Sequence, residues 1–204
     1  FTREQRAKMQ QALAQAAEDT TDRTCANLGK IETMKRQSYN DDDKDEIDAK
    51  VANISLGELR PDGVTRTAHI ELTEHRAITL HQLELLLKYI GQHCCQEGWT
   101  STNPNEPRKA LDPKWINLYE VVHWVVGPAT RRDQCSYVEL VAAGAQKPSW
   151  FVSHWWGEAV DDFVRCLAQH RTDRALPEAS AYWVCAYANN QWNLSGDVSI
   201  DPMG

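Results

Sequence analysis

Residues 150–171 read WFVSHWWGEAVDDFVRCLAQHR, and their pattern decides the fold. WFVS is short, apolar and aromatic and follows Pro148, which predicts a buried strand over Trp150–Ser153. HWWG is a turn. In EAVDDFVRCLAQHR, Val160, Phe163, Val164 and Leu167 recur at i, i+3, i+4 and i+7, the stripe of an amphipathic helix. Glu158, Asp161 and Asp162 stand in its first turn and His170 and Arg171 in its last, an order that complements the helix dipole. TDRALPEAS is a loop, and AYWVCAY, residues 181–187 and including Cys185, is a continuous apolar run that predicts a second buried strand. The polar run ANNQWNLSGD closes it. Strand, helix and strand in this order form a βαβ crossover, which implies parallel strands.

Ligands of open α/β sheets bind beyond the carboxyl ends of the strands. The first strand offers Ser153, His154, Trp155, Trp156 and Glu158 there, and the second offers Asn189, Asn190, Gln191 and Trp192. If the strands are neighbours, the two sets converge. His154 is a candidate general acid or base, with Glu158 beside it. Asn and Gln can read an amide or a ribose edge, and Trp can stack on a flat ring. The bland alternative is that Asn189–Gln191 satisfy loop backbone while the tryptophans seal the sheet edge. The sequence has no GxGxxG, no GxxxxGK[ST] and no nucleophile elbow. His154 and Glu158 are four apart, but a turn between them breaks helical geometry, so they do not read as a zinc pair. No residue is assigned a catalytic role, and no metal is expected.

The chain upstream divides into residues 1–50, a polar helix and acidic linker; 51–114, a helical segment and Pro-rich loop; and 115–204, the partial α/β domain. Residues 2–19 are rich in Ala, Gln and charge and favour helix. Residues 38–50 carry part of a calcium-loop pattern. Asp41, Asp43 and Asp45 fit, but Glu46 replaces the turn glycine and Ala52 the bidentate glutamate, so a solvated acidic linker is the reading. Residues 64–72 alternate weakly as a short strand. Thr79 caps a helix over 80–96, with Leu80, Leu83, Leu86, Leu87 and Ile90 at helical spacing. His69, His75 and His81 match no ligand set. Three prolines mark residues 98–114 as a surface loop or hinge. Residues 115–130 are apolar on nearly all sides and favour a buried helix ended by Gly127-Pro128, while their β-branched content keeps a strand open. Residues 136–144 predict a short helix stopped by glycine.

The 204 residues carry a net charge of −7, which argues against a nucleic-acid groove or an anionic membrane surface. No apolar run is long enough to span a membrane, which leaves peripheral association with a membrane complex open. No signal peptide is visible, and the chain starts at Phe1 as though processed or cut. Six cysteines without CxxC spacing read as reduced thiols in an intracellular, reducing compartment. The sequons at Asn53 and Asn193 carry little weight. Eight Trp against three Phe point to half-wet positions at interfaces and clefts.

CSYVELVAAGAQKPSWFVSHWWGEAVDDFVRCLAQH followed by AYWVCAYANNQW is similar to a group of algal, above all dinoflagellate, proteins that share FVSHWWGE and YWVCAYANNQ motifs. The likeness covers residues 115–201. That strand-turn-helix-strand in turn resembles the opening of TIR-like flavodoxin folds. TIR domains are assembly modules, and some cleave NAD with a glutamate on a later helix. Glu158 follows the first strand and does not take that place, and the "WC..E"-like segment with which related algal sequences continue is absent before Gly204. The resemblance therefore implies a fold opening and a ligand-facing edge, not a catalytic residue. The fold expected is α/β: a helical N-terminal half and a partial flavodoxin/TIR-like parallel βαβ unit.

Two strands do not make a stable sheet. Further strands come from the N-terminal half, or part of the domain is missing, or another subunit covers the edge. The preferred expectation is a non-catalytic interaction or structural subunit of a larger assembly, with organellar (plastid) or photosynthetic complexes suggested by the algal resemblance. Its partners are protein subunits and it needs no cofactor. The alternative is a truncated TIR-like domain that binds a nucleotide or cleaves NAD.

Overall fold

A three-stranded sheet organises the described part of the chain, residues 50–51 and 54–193 of the computed structural model. Its strands are β1 (Ile78–Thr79), β2 (Trp150–Val152) and β3 (Ala181–Val184), in the order β1-β3-β2. β2 runs parallel to β3, with Trp150, Phe151 and Val152 opposite Tyr182, Trp183 and Val184. β1 runs antiparallel to β3, with Ile78 opposite Tyr182. The helices in chain order are α1 (Leu56–Leu59), α2 (Leu80–His93), α3 (Leu118–Val121), α4 (Gly127–Thr130), α5 (Tyr137–Val141), α6 (Val160–Asp173) and α7 (Cys185–Ala188). The molecule is thus a mixed α/β fold, and β2-α6-β3 is the parallel crossover that the sequence pattern predicts.

The best-formed sequence signals become the longest elements. Thr79 caps α2 in a reciprocal box: its hydroxyl accepts from the Gln82 N–H at 3.3 Å, and Gln82 Oε1 accepts from the Thr79 N–H at 2.9 Å. Gln82 is buried, and its amide also donates to the Val141 carbonyl, which ties α2 to the end of α5. α5 starts with the same device, Ser136 paired with Glu139. α6 buries Val160, Phe163, Val164 and Leu167, the stripe read from the sequence. Leu83, Leu86, Ile90, Val121, Val125, Tyr137, Tyr187 and the α6 stripe belong to one core, so residues from 51–114 and 115–193 share it.

Several expectations change. Residues 64–72 form no strand. The Ala68 N–H donates to the Glu139 carbonyl and the Ile70 N–H to the buried Glu139 carboxylate, so a side chain and an isolated carbonyl replace a neighbouring strand. The strand that the 51–114 half does supply is β1, two residues that run directly into the α2 cap, and it gives the βαβ unit its third strand. The run 181–187 is strand only to Val184 and then turns into α7. The helix predicted over 80–96 ends at His93, and that over 136–144 ends at Val141.

Gly127-Pro128 does not end the helical segment that begins at Leu118. A π-helical turn, Val122–Val126, precedes it, and the Gly127 N–H reaches the Val122 carbonyl five residues back. The wider turn relieves the clash of a proline ring with the preceding turn, and Pro128 falls in the first turn of α4, where it lacks no needed N–H. Trp115 is 64% exposed rather than buried.

The largest correction concerns β2. It is an edge strand, not a buried one: Trp150 is 39% and Phe151 71% exposed. Successive residues of a strand point to opposite faces. Trp150 and Tyr182 share the face over which α6 returns, where the His170 ring meets both, at 4.8 and 5.9 Å between centroids. Phe151 and Trp183 share the other face and stack at 5.0 Å. The Trp183 indole N–H donates to the Thr73 carbonyl, so one short turn flanks that face. No described helix covers Phe151.

The helix expected over 2–19, the acidic stretch 38–49, Cys25, Asn53 and everything after Asn193 lie outside the described residues. Among the described residues no helix is long and apolar enough to cross a membrane, and the five described cysteines are free.

Candidate functional site

The turn after β2 is stapled from both sides. Leu118 N–H donates to the Trp156 carbonyl at 3.0 Å, Val160 N–H donates to the Ile116 carbonyl at 2.9 Å, and Asn117 pairs with Ala159 in an antiparallel bridge. The staple fixes where each of the four turn residues, His154 to Gly157, goes. Trp156 turns inward against Tyr119, with 5.4 Å between ring centroids. Trp155 folds back, 65% exposed, over Gly157: a Cβ at Gly157 would stand 2.3 Å from the indole, so only glycine lets the ring lie there. His154 turns toward α6, its ring 4.4 Å from that of Phe163.

A groove of 420 Å³ opens between the free edge of β2 and α6, within the size range of ligand clefts. Trp150, Phe151, Val152, Ser153 and His154 line the β2 side and Phe163, Cys166, Leu167 and His170 the α6 side, with Glu158 and Tyr182 completing the lining. It is mostly apolar with a few polar groups. Both ring nitrogens of His154 are shut off from solvent and have no hydrogen-bond partner. Desolvation holds its pKa below the usual imidazole value, so the ring is neutral at pH 7, with one N–H to give and one lone pair to fill. A buried polar side chain with both functions unused requires an explanation, and a ligand is one. Burial, then the charge of Asp162, raises the Glu158 carboxyl above the ordinary range. Burial raises the Tyr182 phenol against the opposing charge of Arg171, and Tyr182 Oη lies 3.4 Å from His170 Nδ1.

The residues picked from sequence divide between two places. Ser153, His154 and Glu158 line the groove; Trp155 and Trp156 form its outer turn. Asn189, Asn190, Gln191 and Trp192 do not line it. α7 carries them one helical turn onward, and their bonds run to α4 and its exit: Asn190 Nδ2 donates to the Gln134 carbonyl at 2.6 Å and the Trp192 indole to Thr130 Oγ1 at 3.0 Å, while Gln191 donates to the Ala186 carbonyl. The Arg131 guanidinium lies over the Trp192 ring. The convergence expected from two neighbouring strand ends is absent because β3 ends in a helix.

Sequence reasoning missed the α6 wall. Phe163, Cys166, Leu167 and His170 stand at i, i+3, i+4 and i+7, a second stripe offset from the core stripe but sharing Phe163 and Leu167 with it. That double use was the available signal. Among the described residues no cluster of His, Cys, Asp and Glu could hold a metal ion. No protein-family model, curated protein or solved structure matches the chain.

Proposed function

We propose that this chain is a non-catalytic interaction subunit of a larger protein assembly, joined through the sheet region around Phe151. The observation that carries this reading is the stacked Phe151–Trp183 pair on a face without a covering helix, beside an edge strand whose other residues, Trp150 and Val152, are also partly open. Parallel strands are ordinarily covered on both faces, and an apolar aromatic patch at a strand edge is a surface that partners cover. Organellar or photosynthetic complexes are the assemblies that the algal resemblance suggests. The test is a photo-crosslinking residue in place of Phe151 in cells that make the native protein. A discrete crosslinked partner supports the reading. No crosslinked product, with Phe151→Glu leaving the native size and abundance unchanged, overturns it.

One observation favours a second reading, a TIR-like nucleotide-binding or NAD-cleaving domain. His154 and Glu158 share one groove beyond the carboxyl end of β2, where nucleotides bind in open α/β sheets. NAD turnover by the purified chain, abolished by His154→Ala, would replace the interaction reading with this one.

A further inference from the structure

The edge of β2 has a chemistry of its own. The Ser149 N–H donates to the Ala181 carbonyl at 2.8 Å. Backbone groups of a strand alternate in direction, so Phe151 again turns its N–H and C=O toward β3, and Trp150 and Val152 turn theirs away. Among the described residues no backbone group on that side pairs with either of them. Thus two edge peptides, about 7 Å apart along the strand, offer their N–H and C=O groups to an added strand.

Charge gives the row a direction. Glu158 and Asp162 stand at the carboxyl end of the groove. At the other end the Arg174 guanidinium lies 5.9 Å from the centre of the Trp150 ring, and Arg171 stands in the last turn of α6.

We propose that this groove binds an extended peptide of a partner protein as an added strand, antiparallel to β2, with alternate apolar side chains seated against Phe163 and Leu167, a Lys or Arg near its N-terminal end beside Glu158, and an Asp or Glu near its C-terminal end beside Arg174. The inference rests on the interaction reading and specifies how the interaction is made. Main-chain bonds supply affinity in such strand addition, and the alternate pockets and end charges supply specificity. Antiparallel pairing is chosen because it is the more stable ladder per residue.

The probe is a fluorescein-labelled heptapeptide reading lysine, threonine, leucine, threonine, leucine, threonine, aspartate, with a second in which lysine and aspartate are exchanged. Polarisation should show saturable binding of the first, weakened about ten-fold by the exchange. Val152→Pro removes one outward N–H without touching a bond to β3, and proline is tolerated at such an edge position; it should weaken binding about ten-fold or more. Should that variant fail to fold, the peptide carries the test: methylating one set of alternate backbone nitrogens should abolish binding and methylating the other should not. Absence of binding by both peptides up to millimolar concentration, equal or tighter binding of the exchanged peptide, or indifference to both methylation sets overturns the proposal. If these fail while the photo-crosslink at Phe151 still captures a discrete partner, the edge-pairing mode falls and the interaction reading stands.

Discussion

His154 packs its ring 4.4 Å from that of Phe163, and neither imidazole nitrogen meets a hydrogen-bonding group. The protonated ring would bury a charge with nothing to pair it, so protonation works against the fold. In the unfolded chain the imidazole titrates near its ordinary value; in the folded one it titrates lower. Between those values the unfolded state binds more protons, so stability falls as pH drops from about 6.5 toward the lower folded value and is unaffected by this group above it. His154→Leu should remove that part of the pH dependence. Glu158 works in another window: its raised folded pKa makes stability fall as pH rises from the ordinary carboxyl value toward the folded one. The comparison is therefore made between wild type and the single His154 variant, by urea midpoint at pH 5.5 and pH 8; equal differences at both pH values would refute it.

His93 is the opposite case. Burial alone would lower its pKa, but Nε2 bonded to Glu58 at 2.9 Å and Nδ1 bonded to Glu97 at 2.7 Å outweigh burial and raise it. The cationic ring, stacked on Tyr89, clamps α1 to the end of α2. This contribution is fully present below the unfolded value, near 6.5, and is lost as pH rises through the raised folded value. His93→Gln should lower the urea midpoint at pH 6 and have a smaller effect at pH 9.

Glu139 serves several groups at once. Its carboxylate accepts from the Ile70 N–H, the Ser136 N–H and the Ser136 hydroxyl, and lies 3.6 Å from the Arg76 guanidinium. Glu139→Ala should destabilise the fold by about 3 kcal/mol, because it strands buried backbone and hydroxyl donors and removes the carboxylate beside Arg76. Glu139→Gln should cost less, since one acceptor oxygen survives. Chemical denaturation measures both.

Gly157→Ala should displace a side chain rather than the fold. The nearest atoms to the new methyl belong to the Trp155 indole, which is exposed and free to swing out. Stability should change by less than about 1 kcal/mol, while the intrinsic fluorescence shifts toward that of a solvated indole. A Trp155→Phe background, which silences the change, confirms its source.

The crossover was legible in the sequence because both of its signals are local: a helical stripe from Val160 to Leu167 and two apolar runs bounded by turns. Strand order is not local. Trp150 and Phe151 are as apolar as any core pair, and only the position of β3 between β1 and β2 leaves them outside. β1 was hidden because Ile78 and Thr79 also begin a helix cap. Of the site, Ser153, His154 and Glu158 were legible from their place after a strand. The wall of α6 was not, because Phe163 and Leu167 serve the core and the groove together. The amide-rich run Asn189–Gln191 misled, since nothing in AYWVCAY marks the change from strand to helix after Val184.

The π-helical turn at Val122–Val126 carries a consequence for chain length. A wide turn holds one residue more than an α-helical turn spanning the same rise, so everything after it is rotated by about 100° relative to an uninterrupted helix. Thr130, whose hydroxyl donates to the Val126 carbonyl at 2.6 Å and accepts from Trp192, points as it does only because that residue is present. Shortening this segment by one residue would keep its composition and helicity yet turn Thr130 away from Trp192. The spacing between Leu118 and Thr130 is therefore a quantity under constraint in itself, apart from which apolar residues fill it.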